Sequence, residues 1–345
     1  YVIPHSDGAG VIEAVGDGMS SDRVGERVWV YQAQFARRFG TAAELVALDG
    51  RRAAVLPDAA SFETGACLGI PAMTAHRCVF ADGPLDGSTV LVTGGAGRVG
   101  YYAVQWAAMN GARVIATASN EADSAACREI GAAAVVNHRQ AGWSEAVLDA
   151  NHGKPVDRVI DVEFGANLGE VLKLIRTGGT IATYSSTRVP KPELPFLQMM
   201  YQDLTLRLVI VYAMPEKAKK EAVDAINLAL AGNRLVHRVA VDPREQDRYI
   251  ATAQLGITAA SLGLGMYGEH MLARWLELRM ASLGAGSWLA AHAIASALAV
   301  TILTYFHIVI GEMVPKSLAL MRAEETALRI TRPMLLFQKV MFPLV

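Results

Sequence analysis

The sequence predicts an α/β fold for its first two thirds, a doubly wound parallel sheet preceded by a partial β-barrel, followed by an α-helical transmembrane segment. Three observations predict it. Between Leu91 and Gly100 the chain reads LVTGGAGRVG, an apolar run broken by Gly95, Gly97 and Gly100 and resumed as the helix-like YYAVQWAAMNG. Glycines at G-x-G-x-x-G spacing let a strand hand the chain to a helix while leaving no side chain between backbone N–H groups and an anion. From Val90 onward strand-like and helix-like segments alternate, the pattern of a parallel sheet with both faces covered. Beyond Ala251 charge disappears over long stretches.

Taken in order, Gly8 to Tyr31 alternates small and apolar residues with glycine and reads as short strands joined by tight turns. Ala59–Phe80 is helical in pattern, with apolar residues around Cys67, Leu68, Ile70, Met73 and Ala75. The alternating region then gives strand Val90–Thr93, helix Val99–Met109, strand Arg113–Ala118, helix Ser124–Ile130 and strand Ala134–Val136. It continues with strand Asp157–Asp161, helix Leu168–Ile175, strand Thr180–Tyr184, strand Thr205–Tyr212 and helix Glu216–Ala231. At the far end, Ala251 to Gly268 carries no charged residue, and Ala285 to Ile310 carries no Asp, Glu, Lys or Arg, with His292 and His307 as its imidazoles. As a helix the second run would extend about 39 Å, enough to cross a hydrocarbon core of about 30 Å.

Composition narrows the function classes. A net charge of -1 over 345 residues gives no electrostatic footprint for a nucleic-acid partner. Hydrophobic content of 52% and a mean hydropathy of +0.27 place the excess in the C-terminal third. The three cysteines, Cys67, Cys78 and Cys127, show no C-x-x-C spacing, which favours a reduced compartment and no zinc knuckle. The chain opens on Tyr1 without a basic, cleavable leader and stops at Val345 in an apolar stretch, so both ends read as cut.

The segments PHSDGAGVIEAVGDG, VGERVWVY, GTAAELVAL, GACLGIPAMTAHRCV, VLVTGGAGRVG, IGAAAVVNHR and GGTIATYSS, in this order, resemble the zinc-independent quinone oxidoreductase (ζ-crystallin-like) branch of the medium-chain dehydrogenases. The resemblance covers residues 1–243 and implies a partial GroES-like catalytic domain over 1–60 and a Rossmann domain over 61–232. A return segment and junction would follow over 233–246. It also implies NADP(H) as cofactor, a quinone or activated enone as small-molecule substrate, a cytoplasmic setting and a homodimer. Where zinc-dependent relatives carry a metal-binding His followed by Glu, this chain has Ser6 and Asp7, and a further ligand position falls on Ile70. No zinc is therefore expected, since hydride transfer from a nicotinamide needs positioning rather than a Lewis acid.

The same resemblance places Thr74 and Ser185 near the nicotinamide and Gly97, Arg98 and Val99 at the pyrophosphate, with no catalytic residue assigned. Thr74 could instead bond only within its helix, Ser185 serve as a turn residue, and Arg98 either pair with phosphate or remain solvated. Cofactor choice turns on the end of the second strand of the alternating region. Ser119 and Asn120 stand where an acidic residue would bind a ribose 2′-hydroxyl, which favours NADP(H) over NAD(H). Asp123 occupies the position at which relatives place a phosphate-binding Lys, and Asn137, His138 and Arg139 supply donors nearby. The strands that carry the family's substrate-side Asn and Tyr would precede Tyr1, so catalysis by these residues alone is not expected.

From Asp247, DRYIATAQLGITAASLGLGMYGEHMLARWLE and then TILTYFHIVIGEMVPKSLALMRAEETALRITRPM resemble the CNNM/CorC transmembrane module, a family linked to magnesium and cobalt export. The resemblance covers 247–345 and implies a multi-pass membrane part in contact with lipid. Glu312, before the helix-breaking Pro315, and Ser261, where relatives present an Asn, are the candidate ligands for Mg²⁺ or a similar cation. Glu312 could instead pair with Lys316 one turn on, and His292 and His307 suit interhelical hydrogen bonds. The two resemblances meet near Pro243 to Asp247 with no Gly/Ser-rich linker, so the chain reads as a chimera of two truncated modules. Three readings stay open: an NADP(H)-dependent oxidoreductase, a membrane cation-transporter fragment, and a non-functional fusion.

Overall fold

Strands β1 (Gly8–Val11), β2 (Arg27–Val30) and β3 (Ala53–Val55) form an antiparallel sheet in that order. Its register sets Trp29 between Ala9 and Ala54, and the small neighbours leave room for an indole that is fully buried. The strand pattern predicted across Gly8–Tyr31 is thus two strands, separated by a 3-10 turn at Ser21–Arg23 whose start Ser20 caps. Two helices follow, α1 (Phe62–Ala66) and α2 (Gly69–Phe80), dividing the single helical stretch read over Ala59–Phe80 at Cys67 and Leu68.

The second sheet and its helices run β4 (Thr89–Val92), α3 (Arg98–Met109), β5 (Arg113–Ala118), α4 (Glu121–Glu129), β6 (Ala132–Asn137) and α5 (Trp143–Ala150). They continue as β7 (Val156–Asp161), α6 (Phe164–Leu174), β8 (Ile175–Thr183), α7 (Phe196–Tyr201), β9 (Thr205–Leu208) and α8 (Glu216–Ala231). All six strands are parallel in the order β6-β5-β4-β7-β8-β9. This is the 3-2-1-4-5-6 order of a doubly wound dinucleotide-binding sheet, so the predicted α/β class is the one observed.

The core has two sides because the sheet has two faces. Val90 and Val92 of β4 point into a cluster that includes Met73 of α2, Val104 of α3 and Ile226 of α8. Leu91 points the other way, toward Trp143 and Val147 of α5 and Leu168 and Val171 of α6. A central strand buried on both faces reads as a continuous apolar run, which is why VLV was visible as a strand.

Three differences from the sequence expectations have local causes. α5 went unread because it spans only eight residues, with Trp143, Val147 and Leu148 as its large apolar side chains, and is entered through Gly142 at φ +71°. α7 has no amphipathic stripe, since Phe196, Leu197, Met200 and Tyr201 are all exposed. β9 stops at Leu208 instead of Tyr212 because the chain turns into a 3-10 element at Val211–Ala213, where Gln32 Nε2 donates to the Val211 carbonyl at 2.8 Å.

The computed structural model describes residues 2–239 and the isolated helical positions 271, 272, 274, 275, 278, 297, 298, 301 and 305. The chain divides into two compact units, Tyr1–Val239 and Ala240–Val345. Among the described residues no helix is long and apolar enough to cross a membrane. The apolar runs 251–268 and 285–310 lie outside the described residues except for the isolated positions just named, and so do Ser261 and Glu312.

Within the first unit β2 reaches α8 through a polar contact, Trp29 Nε1 donating to Asn227 Oδ1 at 2.9 Å. Asn227→Ala should leave the indole N–H without its acceptor and lower unfolding stability by about 1–3 kcal/mol, read from the urea midpoint. An unchanged midpoint would show that the contact contributes nothing.

Candidate functional site

The carboxyl ends of parallel strands form a crevice where the strand order reverses, here between β4 and β7. One buried side chain fixes that point. Asp161, at the end of β7 and fully buried, accepts at Oδ1 from Thr93 Oγ1 at 2.5 Å, Asn167 Nδ2 at 2.8 Å and Glu163 N at 3.3 Å. Thr93 Oγ1 in turn accepts from Val162 N at 2.9 Å, so the loops leaving β4 and β7 are stitched together. Burial raises the Asp161 carboxyl above the usual range, against the lowering effect of its hydrogen bonds, and its Oδ2 has no partner among the described residues.

The glycine turn grows from this anchor. Gly94 takes φ +63° and donates to Thr117 Oγ1 at 2.9 Å, while Gly95 N donates to the Thr117 carbonyl at 2.9 Å. A Cβ on Gly95 would stand 2.8 Å from Ala116 Cβ, and one on Gly100 would overlap the Gly94 carbonyl oxygen. Gly97 is the N-cap of α3, and no side chain caps that helix.

The helices that follow β5 and β7 are closed. Asn120 caps α4, its Oδ1 accepting from Asp123 N at 2.9 Å and its carbonyl from Ser124 N at 3.0 Å. At α6, Phe164 N donates to the Ser185 carbonyl at 3.0 Å and Gly165 N to Ser186 Oγ at 2.9 Å. A helix leaves its first N–H groups without intrahelical partners and carries a positive dipole end there. Of the helices after β4, β5 and β7, α3 is the one whose start is open to an anion.

The structure brings most of the sequence-predicted residues to one sheet edge. Gly95, Gly97, Arg98, Val99 and Gly100 form the turn and first residues of α3 at the end of β4. Ser119 follows β5, half-buried, and Asn137 closes β6 opposite Ala118. His138 and Arg139 come next, the Arg139 N–H donating to Asn137 Oδ1 at 3.0 Å. Burial, then Arg139, lowers the His138 imidazole from its ordinary value. Ser185 lies just past β8 and bonds Thr187 Oγ1 at 3.1 Å, in a loop that Glu163 holds by accepting from Thr187 N and Arg188 N. Thr74 differs: it is buried within α2. Arg98 is exposed and acts electrostatically on Cys67, whose thiol is raised chiefly by burial and partly lowered by this cation.

Asp7 and Ile70, separate in the chain, meet at the start of α2, where Ile70 N donates to Asp7 Oδ2 at 2.8 Å. Burial pushes the Asp7 carboxyl up to about 7 despite that bond, and a Cβ on Gly69 would collide with it. Among the described residues no three His, Cys, Asp or Glu side chains converge as a metal donor set, and of the Asp7 carboxylate Oδ2 takes the Ile70 N–H while Oδ1 has no hydrogen-bond partner there. Sequence reading missed the role of Thr93 and Asp161 as the stitch, although a Thr at one strand end and an Asp at the end of the neighbouring one were a usable signal. It also missed Arg238, which no local pattern announces.

Residues 99–228 match the zinc-binding dehydrogenase family, and residues 222–345 match the cyclin M transmembrane N-terminal domain family. Quinone oxidoreductase of Rattus norvegicus is 36% identical over 179 residues, 52% of this chain and 53% of that protein. UPF0053 protein YhdT of Bacillus subtilis is 35% identical over 132 residues, 37% of this chain and 27% of that protein. Among solved structures, an NAD-dependent alcohol dehydrogenase is 28% identical with a TM-score of 0.62, covering 68% of this chain and 73% of that one. A mycobacterial protein complexed with NADPH is 25% identical with a TM-score of 0.61 over the same shares. The chain spans about half the length of the quinone oxidoreductases it matches and about a quarter of the UPF0053 protein. It thus has two parts, the first similar to quinone oxidoreductases of the medium-chain type and the second to the CNNM-like family.

Asp7 carries a pH prediction. Its carboxyl is protonated in the native state up to about 7 but ionises near 3.8 when unfolded, so the native state holds an extra proton between those values and stability falls as pH rises through them. Asp7→Asn keeps an acceptor for Ile70 N without titrating. Its melting temperature relative to the unsubstituted protein should therefore climb across that window and level off above it. A difference that stays flat with pH would contradict the assignment.

Proposed function

We propose that residues 1–243 bind NADP(H), with NAD(H) as the weaker ligand, and pass hydride to a quinone or activated enone without zinc. The observation that carries this is the uncapped, glycine-lined start of α3 at the strand-order reversal of a 3-2-1-4-5-6 sheet. The similarity to quinone oxidoreductases and to an NADPH-bound structure supports the choice of cofactor and acceptor. Bound there, a reduced nicotinamide supplies the hydride. The residues of this chain bind and orient it: the N–H groups of Arg98 and Val99 receive the pyrophosphate beside Gly97, whose own N–H is held by the Gly94 carbonyl, Ser119, Asn137, His138 and Arg139 surround the adenosine ribose, and Ser185 and Thr74 border the nicotinamide. In this reading residues 1–60 are the partial GroES-like domain, 61–232 the Rossmann domain and 233–246 the return segment, in a cytoplasmic part that forms a homodimer.

Titrating NADPH and NADH into the purified full chain tests this. NADPH should bind at least several-fold more tightly, and adding a quinone should oxidise it. Tighter NADH binding would reverse the cofactor assignment, and no binding of either would remove the dinucleotide reading.

The match of residues 222–345 favours a second activity for the other part. There we propose a multi-pass, lipid-facing segment over 247–345 in which Glu312, assisted by Ser261, ligates a hard divalent cation such as Mg²⁺. The full chain should partition into the detergent phase, and Mg²⁺ should raise its thermal stability in a manner lost in Glu312→Ala. Equal stabilisation of both proteins would dismiss Glu312 as a ligand.

A further inference from the structure

Arg238 stands in the segment after α8, 115 positions from Asp123, yet its guanidinium lies against the glycine turn. Nη1 donates to the Ala96 carbonyl at 2.8 Å and reaches Asp123 Oδ1 at 3.2 Å, and Cζ is 5.8 Å from the centre of the Tyr101 ring. Contacts to the turn, to α4 and to α3 hold in place a long side chain that would otherwise retain its rotamer freedom. Among the described residues Nη1 alone is hydrogen-bonded, leaving Nε and Nη2 available as donors.

Asp123 makes this cation consequential. It lies in the first turn of α4, just past Ser119 and Asn120, and so at the end of the second strand of the nucleotide-binding half. A carboxylate in this region favours a free ribose 2′-hydroxyl and repels a 2′-phosphate. Here it is already engaged, Oδ2 accepting from Asn120 Nδ2 at 2.8 Å and Oδ1 facing Arg238. The carboxylate is countered by a guanidinium with donors to spare, and a guanidinium is suited to bidentate phosphate recognition.

We propose that Arg238 sets the cofactor preference of this site, neutralising Asp123 and offering its free donors to the 2′-phosphate of NADP(H). This rests on the dinucleotide reading above. A segment at the very end of the first unit thereby completes a pocket whose other walls lie about a hundred or more residues earlier.

The test is a set of binding titrations on the purified full chain with NADPH, NADH, 2′,5′-ADP and 5′-AMP. Arg238→Ala should weaken NADPH and 2′,5′-ADP about 10-fold or more, the scale of a charge-assisted hydrogen bond, while NADH and 5′-AMP change less than about 2-fold and report that the fold persists. Arg238→Lys should recover part of the loss, and Asp123→Asn should tighten NADPH relative to NADH. Should Arg238→Ala lose every ligand by unfolding, Asp123→Asn and Arg238→Lys decide, and an unchanged NADPH to NADH ratio in both overturns the proposal. An unsubstituted chain that binds NADPH, with a ratio insensitive to Arg238→Ala, sinks this inference alone. An unsubstituted chain that binds neither dinucleotide sinks the dinucleotide reading and this inference with it.

Discussion

Everything at the strand ends depends on how closely α3 approaches β4. A side chain at Gly100 would occupy the place of the Gly94 carbonyl oxygen, and one at Gly95 would press on Ala116 of the next strand. Removing that volume lets the helix start directly over the sheet, so its N–H groups face the crevice instead of solvent above it. Thr117 then fastens the turn to β5 through both its hydroxyl and its carbonyl. With the turn fixed to β5 and, through Thr93 and Asp161, to β7, the geometry of the nucleotide cleft becomes a property of the sheet.

Two carboxyls, one fully buried and one half-buried, serve this scaffold as joints. Asp161 gathers donors from the loop leaving β4, from α6 and from its own loop, and Asp7 meets the first turn of α2. Each is raised by burial because water is replaced by a few fixed donors that do not fully compensate the charge. The same exchange explains which helix remains open. Where a loop supplies its own acceptors, as Asn120 does for α4 and Ser185 and Ser186 do for α6, the helix start is already satisfied. At α3 the loop is glycine: the Gly94 carbonyl takes the Gly97 N–H at 2.9 Å, and no side chain reaches the N–H groups that follow.

Helix α8 sits where the two family matches overlap, at residues 222–228. Its packing belongs to the first unit: Ala222 and Ile226 are fully buried in the core shared with α2 and α3, Asn227 holds Trp29, and Glu216 pairs with Arg52 at 2.8 Å and Lys219 at 2.9 Å. A helix rich in Ala, Leu and Ile satisfies the apolar pattern of many folds, so similarity alone divides this stretch ambiguously while burial does not.

The sequence by itself determined the α/β class, the glycine turn and the strand Arg113–Ala118 and helix Glu216–Ala231 to the residue, because double-sided burial and a side-chain-free turn leave their marks in consecutive residues. It placed Ser119 at the end of the second strand of the alternating region, whereas Asn137, His138, Arg139 and Ser185 were pointed to by the resemblance to the oxidoreductase branch. Tertiary structure alone decided that Ile70 would meet Asp7, that Thr93 and Asp161 would bind two loops together, and that Arg238 would reach Asp123 and Ala96. Those contacts join residues from about sixty to more than a hundred positions apart, and periodicity carries information only over the length of one element.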